Sequence, residues 1–526
     1  MSSQSNLPRV TYSNVSADFT PVHDMLDTAI PAFKANLGGT TPNYIGGADD
    51  SNGEPYEIVS PADSDLSLGS FITGTQDSVD RAVAAARKAY PAWSGMPWAE
   101  RLKVMRRAAD ALSARKYDLG IASVLEVGKS RLEGVGEAEE AVDLINYYCD
   151  ETERNNGYTV AMKGATPAEE TCSVLRPYGV FAIISPFNFP VALSTNMMSA
   201  ALIGGNTVVF HPTTNGALTG SIIIDAFKEA GLPAGVVNIV NGRGVGPKLV
   251  DAPGIDGIAF TGSYDVGMGI HGKMAASPFG RPLIAEMGGK NPAYVSEFAD
   301  PDMAAEGVMR SAYGLTGEKC SACSSAYVHA SVYDAFMDKL VEMTGKLKVG
   351  NPEEKDVFMG PIVNEAAYDI FAKAVEDARA DGRVAFGGNR LSGGIFDRGY
   401  YIEPTIVDGL PADHRLFKDE LFAPFVAVAR YEGDLASAIA RGNDVVYGLT
   451  AGVYSSRPED VDLFFATAEA GVLYANRRTN ATAGAWPGYQ SFGGWKGSGL
   501  SGKSGLGPNY PPLFMREQSH TLIKLD

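Results

Sequence analysis

Between residues 176 and 286, short runs of β-branched and aromatic residues, "GVFAII", "NTVVF", "VVNIV" and "GIAF", alternate with stretches of helical periodicity. Strands apolar along their whole length, separated by helical segments, are what a parallel sheet covered on both faces requires. After "HPTTNG", Leu218, Ile222, Ile223, Ala226, Phe227 and Ala230 recur at helical spacing, while Lys228 and Glu229 fall on the other face. The chain is therefore expected to be α/β, with nucleotides binding at the carboxyl ends of the strands.

A second α/β unit is expected from 287 to 506. Asp300 before Pro301 reads as a helix start, and Ala304, Ala305, Val308, Met309, Ala312 and Tyr313 as the buried stripe of that helix. Further on, "YYIEPTIV", "FVAVARY" and "AGVYS" read as strands. The segment "YTVAMKGATPAEETCSVLRPYGV" alternates weakly around a polar middle, and "HTLIKLD" is a further strand candidate. Exposed strand edges need a partner, so at least a homodimer is expected.

Length and charge narrow the function. At 526 residues the chain has room for about three to four domains of ~150 residues. A net charge of −18 disfavours nucleic acid and anionic lipid as main partners, which leaves small metabolites. The opening "MSSQSNLPRVTYSNV" has no basic stretch leading into an apolar one, and no run approaches a membrane span of ~18 residues, so a cytoplasmic protein is expected. Four cysteines are too few to staple such a chain. "CSAC" is formally a CxxC, but no second ligand pair accompanies it and the six histidines are scattered, so no metal site is expected.

The chemistry is concentrated in a thiol and a carboxylate, each beside glycines: Cys320 in "GLTGEKCSAC" and Glu286 in "EMGGKN". A thiol attacks a carbonyl, and a carboxylate working near neutral pH activates the water that hydrolyses the resulting thioester. Asn188, between Pro186 and Pro190 in "ISPFNFP", is a candidate donor to the oxyanion. In "FTGS", Thr261, Gly262 and Ser263 open a helix whose free N–H groups suit a pyrophosphate. "GMGIHG" matches a dinucleotide fingerprint, yet its first glycine, Gly267, does not end a strand, so the match is read as coincidence.

In order and context, "PFNFP", "FTGS", "EMGGKN", "GEKCSAC", "DELFAPF" and "FGGWKGSG" resemble the aldehyde dehydrogenase superfamily over nearly the whole chain. The resemblance implies two open parallel-sheet α/β domains and a small β oligomerisation element. The boundaries it suggests are an N-terminal arm at 1–40, an NAD(P)-binding domain at 41–157 and 179–286, oligomerisation strands at 158–178 and 507–526, and a catalytic domain at 287–506. It makes Cys320 the nucleophile and Glu286 the base, with Asn188 and Lys290 in the catalytic set. NAD or NADP would be met by Ile184, Ser185, Pro186 and Phe187, by His211, Thr213 and Thr214, by Thr261, Gly262, Ser263 and Gly267, by Met287 and Gly288, and by Glu420 and Phe422. Where the family commonly has Lys-Pro-x-Glu on the adenosine ribose, this chain has "HPTT". That change removes both a carboxylate that repels a 2′-phosphate and a lysine that attracts one, and leaves NAD against NADP open; His211 as a packing residue also stays open.

Within the superfamily, "EVGKSRLEGVGEAEEAVDLINYYC", "GEKCSACS" and "NRRTNATAGAWPGYQSFGG" are most similar to the pyrroline-5-carboxylate (glutamate γ-semialdehyde) dehydrogenases. That likeness implies that Gly484 and Ala485, with Ser321, meet a substrate carboxylate, that Glu140 receives the amino group, and that Phe492 lines the site. The loop before Phe492 is longer than the subfamily's. A dehydrogenase for another semialdehyde or for an aromatic or aliphatic aldehyde is the alternative, and a catalytically silent homologue is the alternative of another class. A CoA-acylating relative normally lacks the base.

Overall fold

The computed structural model describes residues 7–11, 14, 17–478 and 485–525. Two seven-stranded sheets dominate it. In spatial order the first runs Leu283–Glu286, Gly257–Thr261, Val180–Ile184, Thr207–His211, Val237–Ile239, Asn43–Ile45 and Ala48–Asp50, the first five parallel and the last two antiparallel additions. Successive residues of one strand serve opposite faces. Phe181 and Ile183 join the core on one side, Val180 and Ala182 the core on the other, which is why the strand is apolar throughout.

The second sheet runs Arg383–Phe386, Thr405–Asp408, Phe425–Tyr431, Cys323–His329, Asn291–Val295, Thr450–Tyr454 and Val472–Ala475, parallel except for its first strand. The expected strand "YYIEPTIV" is shorter than read: only Thr405–Asp408 pairs in the ladder, because Pro404 supplies no N–H to continue it. The Pro301–Tyr313 helix buries all six residues of its expected stripe.

A third, three-stranded sheet joins Thr159–Met162, Glu169–Pro177 and Met515–Ile523. The last strand starts five residues before "HTLIKLD", in a polar stretch exposed on both faces. Val160, Met162, Leu522 and Ile523 stand exposed on this sheet. Among the described residues no helix is long and apolar enough to cross a membrane.

The Arg131–Arg154 helix ties the first sheet to the site. Its start is a capping box of Ser130 and Glu133. Gly134 lets it pack closely, since a Cβ there would lie 2.5 Å from the Gly120 carbonyl oxygen. Along it, fully buried Glu137 accepts the Val191 and Ala192 N–H groups at 2.8 and 3.0 Å and so caps the Ala192–Ile203 helix from outside. Its second oxygen accepts from Lys129 Nζ at 2.8 Å and Ser123 Oγ at 3.2 Å, and the ammonium also lies 3.7 Å from the centre of the Phe189 ring. Removing one member of a buried ion pair strands the other charge. Lys129→Met is therefore expected to lower the urea midpoint by the equivalent of about 3 kcal/mol. An unchanged midpoint would show that Glu137 is held by its N–H donors alone.

Candidate active site

Cys320 is delivered by the loop after the Pro301–Tyr313 helix. Asp300 caps the helix start by accepting the Asp302 and Met303 N–H groups at 2.9 and 3.3 Å. Past the helix end at Gly314, Leu315 and Thr316 are held at φ of 46° and 55°, a left-handed backbone that side-chain-bearing residues adopt at a cost. Neighbours impose it. The Leu315 N–H donates to Glu133 Oε1 at 2.9 Å, and Thr316 Oγ1 donates to the Pro361 carbonyl at 3.2 Å. The loop end is pinned by Asn291, whose Nδ2 donates to the Cys320 and Ala322 carbonyls at 2.7 and 2.9 Å.

The thiol lines a cavity of about 100 Å³ whose wall includes Glu286, Met287, Thr261, Phe189, Asn196, Lys319 and Leu449. Glu140, Ser321, Ala485 and Phe492, expected to meet the substrate, line the same cavity. Gly484 lies outside the described residues. Asn188 is buried beside the wall and donates to the Glu318 carbonyl at 2.9 Å. An amide has two N–H donors, and the one not given to Glu318 is the candidate oxyanion donor.

Glu286 ends the edge strand of the first sheet. One carboxylate oxygen accepts the Gly494 N–H at 3.0 Å; the other is buried with no hydrogen-bond partner among the described residues. Burial pushes this carboxyl up to about 8, against the pull of the Gly494 N–H. That is the range in which a carboxylate works as a general base near neutral pH. Burial, with Glu420 and Glu286 adding negative charge nearby, pushes the Cys320 thiol up to about 12. The resting thiol is therefore protonated, and attack needs a base to take that proton. Cys323, three residues on, is buried and donates to the Ser325 carbonyl at 3.4 Å.

A dinucleotide fits the cleft beside the first sheet. Ser263 ends the loop before the Tyr264–Ala275 helix and its side chain makes no capping bond, so it leaves the first N–H groups of the helix for an anion to meet. Next to it, Ile184, Gly246, Pro247, Val266, Gly269 and Ile270 line an apolar cavity of about 220 Å³. Ser185 donates its N–H to the His211 carbonyl at 3.2 Å, which holds the start of the "SPFN" turn against the next strand. Phe187 meets Phe422 edge to face at 5.8 Å, and Phe422 is itself held at φ 54°. Glu420 accepts the Gly289 N–H at 2.8 Å, and burial raises its carboxyl to about 7. A Cβ on Gly288 would lie 2.0 Å from that carboxylate.

Other expected residues sit differently. The "GMGIHG" run lies inside the helix, and Gly267 turns to the core, where a Cβ would lie 2.4 Å from Met287 Sδ; it packs the helix onto the sheet and does not line the cleft. His211 is buried with Nδ1 at 2.9 Å from the Val240 carbonyl, and burial pushes it down to about 4, so it is neutral and packed under Gly246. Thr213 precedes a short 3-10 turn, and Thr214 lines a separate cavity with Ser60, Arg390 and Arg398. Lys290 is buried beyond Gly289, outside the Cys320 cavity, with its ammonium unpartnered among the described residues. Burial lowers it to about 8, opposed by Asp419 and Glu420.

The residues not singled out from sequence are of two kinds. Asn291, Gly494 and Ser498 stand inside the motifs "EMGGKN" and "FGGWKGSG", and their part is hydrogen bonding: Asn291 holds the Cys320 carbonyl, Gly494 donates its N–H to Glu286, and Ser498 Oγ donates to the Gly288 carbonyl at 2.6 Å and accepts from the Gly448 N–H at 2.9 Å. Lys319 stands inside "GEKCSAC", while Asn196, Pro247 and Val266 carry no local signal.

A cavity-lining thiol and a raised carboxylate in one cavity, beside a dinucleotide cleft, define a thiol-dependent NAD(P) oxidoreductase. The aldehyde dehydrogenase family model matches residues 48–510, and the chain belongs to that family. It is 36% identical over 490 residues to a 1-pyrroline-5-carboxylate dehydrogenase of Bacillus mycoides, covering 92% of this chain and 93% of that one. A 1-pyrroline-5-carboxylate dehydrogenase from Thermus, solved with bound NAD, superposes with a TM-score of 0.91 at 33% identity, covering 96% and 97% of the two chains. Proline utilization A from Bdellovibrio bacteriovorus superposes with a TM-score of 0.91 at 32% identity over 97% of this chain; this chain spans about half of that protein, 53%.

With Glu286 at about 8, the base form is scarce at pH 7 and grows about tenfold per pH unit until it levels off. Steady-state turnover should therefore rise from pH 6.5 to 8.5 and flatten above. In Glu286→Gln, turnover should fall by 10²-fold or more and lose this rise, since no base remains to titrate. A flat wild-type profile across this range would take Glu286 out of the slow step.

Proposed function

We propose that this enzyme oxidises L-glutamate γ-semialdehyde, the open-chain form of 1-pyrroline-5-carboxylate, to L-glutamate in proline catabolism, with NAD or NADP as acceptor. The observation that carries this reading is the cavity around Cys320, which Glu140, Ser321 and Ala485 line together, a carboxylate on the side proposed for the ammonium and small residues on the side proposed for the substrate carboxylate. The names of the relatives support the same substrate. Backbone N–H groups suit a carboxylate because they form charge-assisted bonds without long side chains to order.

In this reading the Cys320 proton passes to solvent and the thiolate attacks the aldehyde carbon, giving a thiohemiacetal, while Glu286 is kept for the later hydrolysis. The Asn188 amide and the Cys320 N–H steady its oxyanion. When bound, the nicotinamide supplies the hydride acceptor, with Glu420, Gly288, Phe187 and Phe422 the residues that would hold it. Collapse of the thiohemiacetal leaves a thioester on Cys320. Glu286 then draws a proton from water, and the attack releases the acid and restores the thiol. Lys290 has no step in this sequence; its buried ammonium lies nearest Asp419 and Glu420 and would act on the orientation of the latter.

The first sheet and its helices serve as the cofactor unit and the second as the catalytic unit, and the exposed apolar residues of the three-stranded sheet suit contact with a second copy of the chain. Buried donors left without an anion cost about 1–3 kcal/mol each, so glutamate γ-semialdehyde should exceed hexanal and benzaldehyde in kcat/KM by about tenfold or more. Glutamate should inhibit competitively against the semialdehyde. Equal efficiency on all three aldehydes, with no inhibition by glutamate, would reject the substrate while leaving the family standing.

A further inference from the structure

On the outer side of the Arg131–Arg154 helix, Asp143 Oδ2 accepts two bonds: from the Trp486 indole Nε1 at 2.8 Å, and from Arg9 of the N-terminal arm at 2.9 Å. Arg9 also donates to Glu139 Oε2 at 3.1 Å, and Glu139 Oε1 accepts from Lys116 Nζ at 2.7 Å. Trp486 is buried, and it directly follows Ala485, which lines the Cys320 cavity. The turn it opens is seated on the same helix: Gly488, at φ 77°, lies so close to Tyr147 that a Cβ would stand 3.1 Å from the ring. One turn before Asp143, the helix presents Glu140 to the cavity.

Glu140, Asp143 and Tyr147 thus form one row on one helix. The first faces the substrate, and the next two hold the segment that carries Ala485. A buried indole N–H needs its acceptor, so the Asp143 bond fixes where Trp486, and with it Ala485, sits relative to Glu140. Arg9 is half exposed, and such a pair adds little stability; its effect is to hold the carboxylate turned toward the indole.

We propose that Asp143 is a positioning residue for substrate specificity: through Trp486 it sets the spacing between the amino-binding and carboxylate-binding sides of the site, and the N-terminal arm, through Arg9, is part of that device. This rests on the reading of Glu140 and Ala485 as the two substrate contacts.

The test compares wild type with Trp486→Phe, Asp143→Ala, Asp143→Asn and Arg9→Ala on two substrates, glutamate γ-semialdehyde and propanal, at saturating NAD. Trp486→Phe and Asp143→Ala should raise KM for the semialdehyde about tenfold with kcat within about twofold, while kcat/KM for propanal moves by less than about twofold. Asp143→Asn keeps an oxygen for the indole and should recover most of the loss. Arg9→Ala should give a smaller rise in the same direction. A semialdehyde KM unchanged in both Trp486→Phe and Asp143→Ala, or an equal loss on both aldehydes, would overturn the proposal. If wild type itself does not prefer the semialdehyde, the substrate reading fails and this one with it; if wild type prefers it and the variants keep that preference, only the positioning role fails.

Discussion

The site depends on a four-residue crossing, Met287 to Lys290, between the edge strand of one sheet and an inner strand of the other. There is no slack in it. A Cβ on Gly289 would stand 2.5 Å from the Cys320 carbonyl oxygen, and one on Gly288 would stand 2.0 Å from the Glu420 carboxylate. The Met287 N–H donates to the Ser498 carbonyl at 2.8 Å, and the Ser498 hydroxyl donates to the Gly288 carbonyl. Because the crossing is short and clamped on both sides, a carboxylate from one sheet and a thiol from the other meet in a single cavity. A larger residue at 289 would press on the Cys320 backbone, and one at 288 would displace the Glu420 carboxylate.

That convergence is held against an electrostatic cost. Burial moves Glu286, Glu420 and Cys320 away from their charged forms, and it does the same to Lys290. The backbone of the Cys320 loop is strained at Leu315 and Thr316. The compensation lies in the scaffold, where Glu133, Glu137 and Glu126 act as fixed hydrogen-bond acceptors at helix and loop starts. Glu126 takes the Leu218 and Thr219 N–H groups at 2.8 and 3.0 Å, and Glu133 takes the Leu315 N–H that the strained loop presents. Strained functional sites of this kind persist because the surrounding structure over-determines them.

Much of this was legible in the sequence, for physical reasons. Strands buried on both faces have to be apolar at every position, so "GVFAII" and "FVAVARY" announced themselves; Asp300-Pro301 and the stripe behind it marked a helix that the structure contains. The meeting of Cys320 and Glu286 could be expected from motif order, but no spacing rule along the chain requires it. What stayed hidden was whatever contradicts a pattern. "REQS" lies in a strand exposed on both faces after Met515 and so carries no alternation. Within "EGVGEAEEAVD" Glu137 and Glu139 are buried, because partners such as Arg9 and the Val191 N–H come from distant segments that no local pattern shows. His211 stands at a ribose-binding position by motif, but its ring is turned into the core. Gly267 satisfies a fingerprint and serves only helix packing.

The central claim is that Cys320 carries the covalent intermediate and Glu286 releases it. The direct measurement is intact-protein mass spectrometry of Glu286→Gln mixed with NAD and glutamate γ-semialdehyde, followed by peptide mapping. One acyl group per chain should accumulate, located on the peptide at Cys320, and Cys323→Ala in the same background should leave it in place. No adduct, or an adduct lost with Cys323, would contradict the claim.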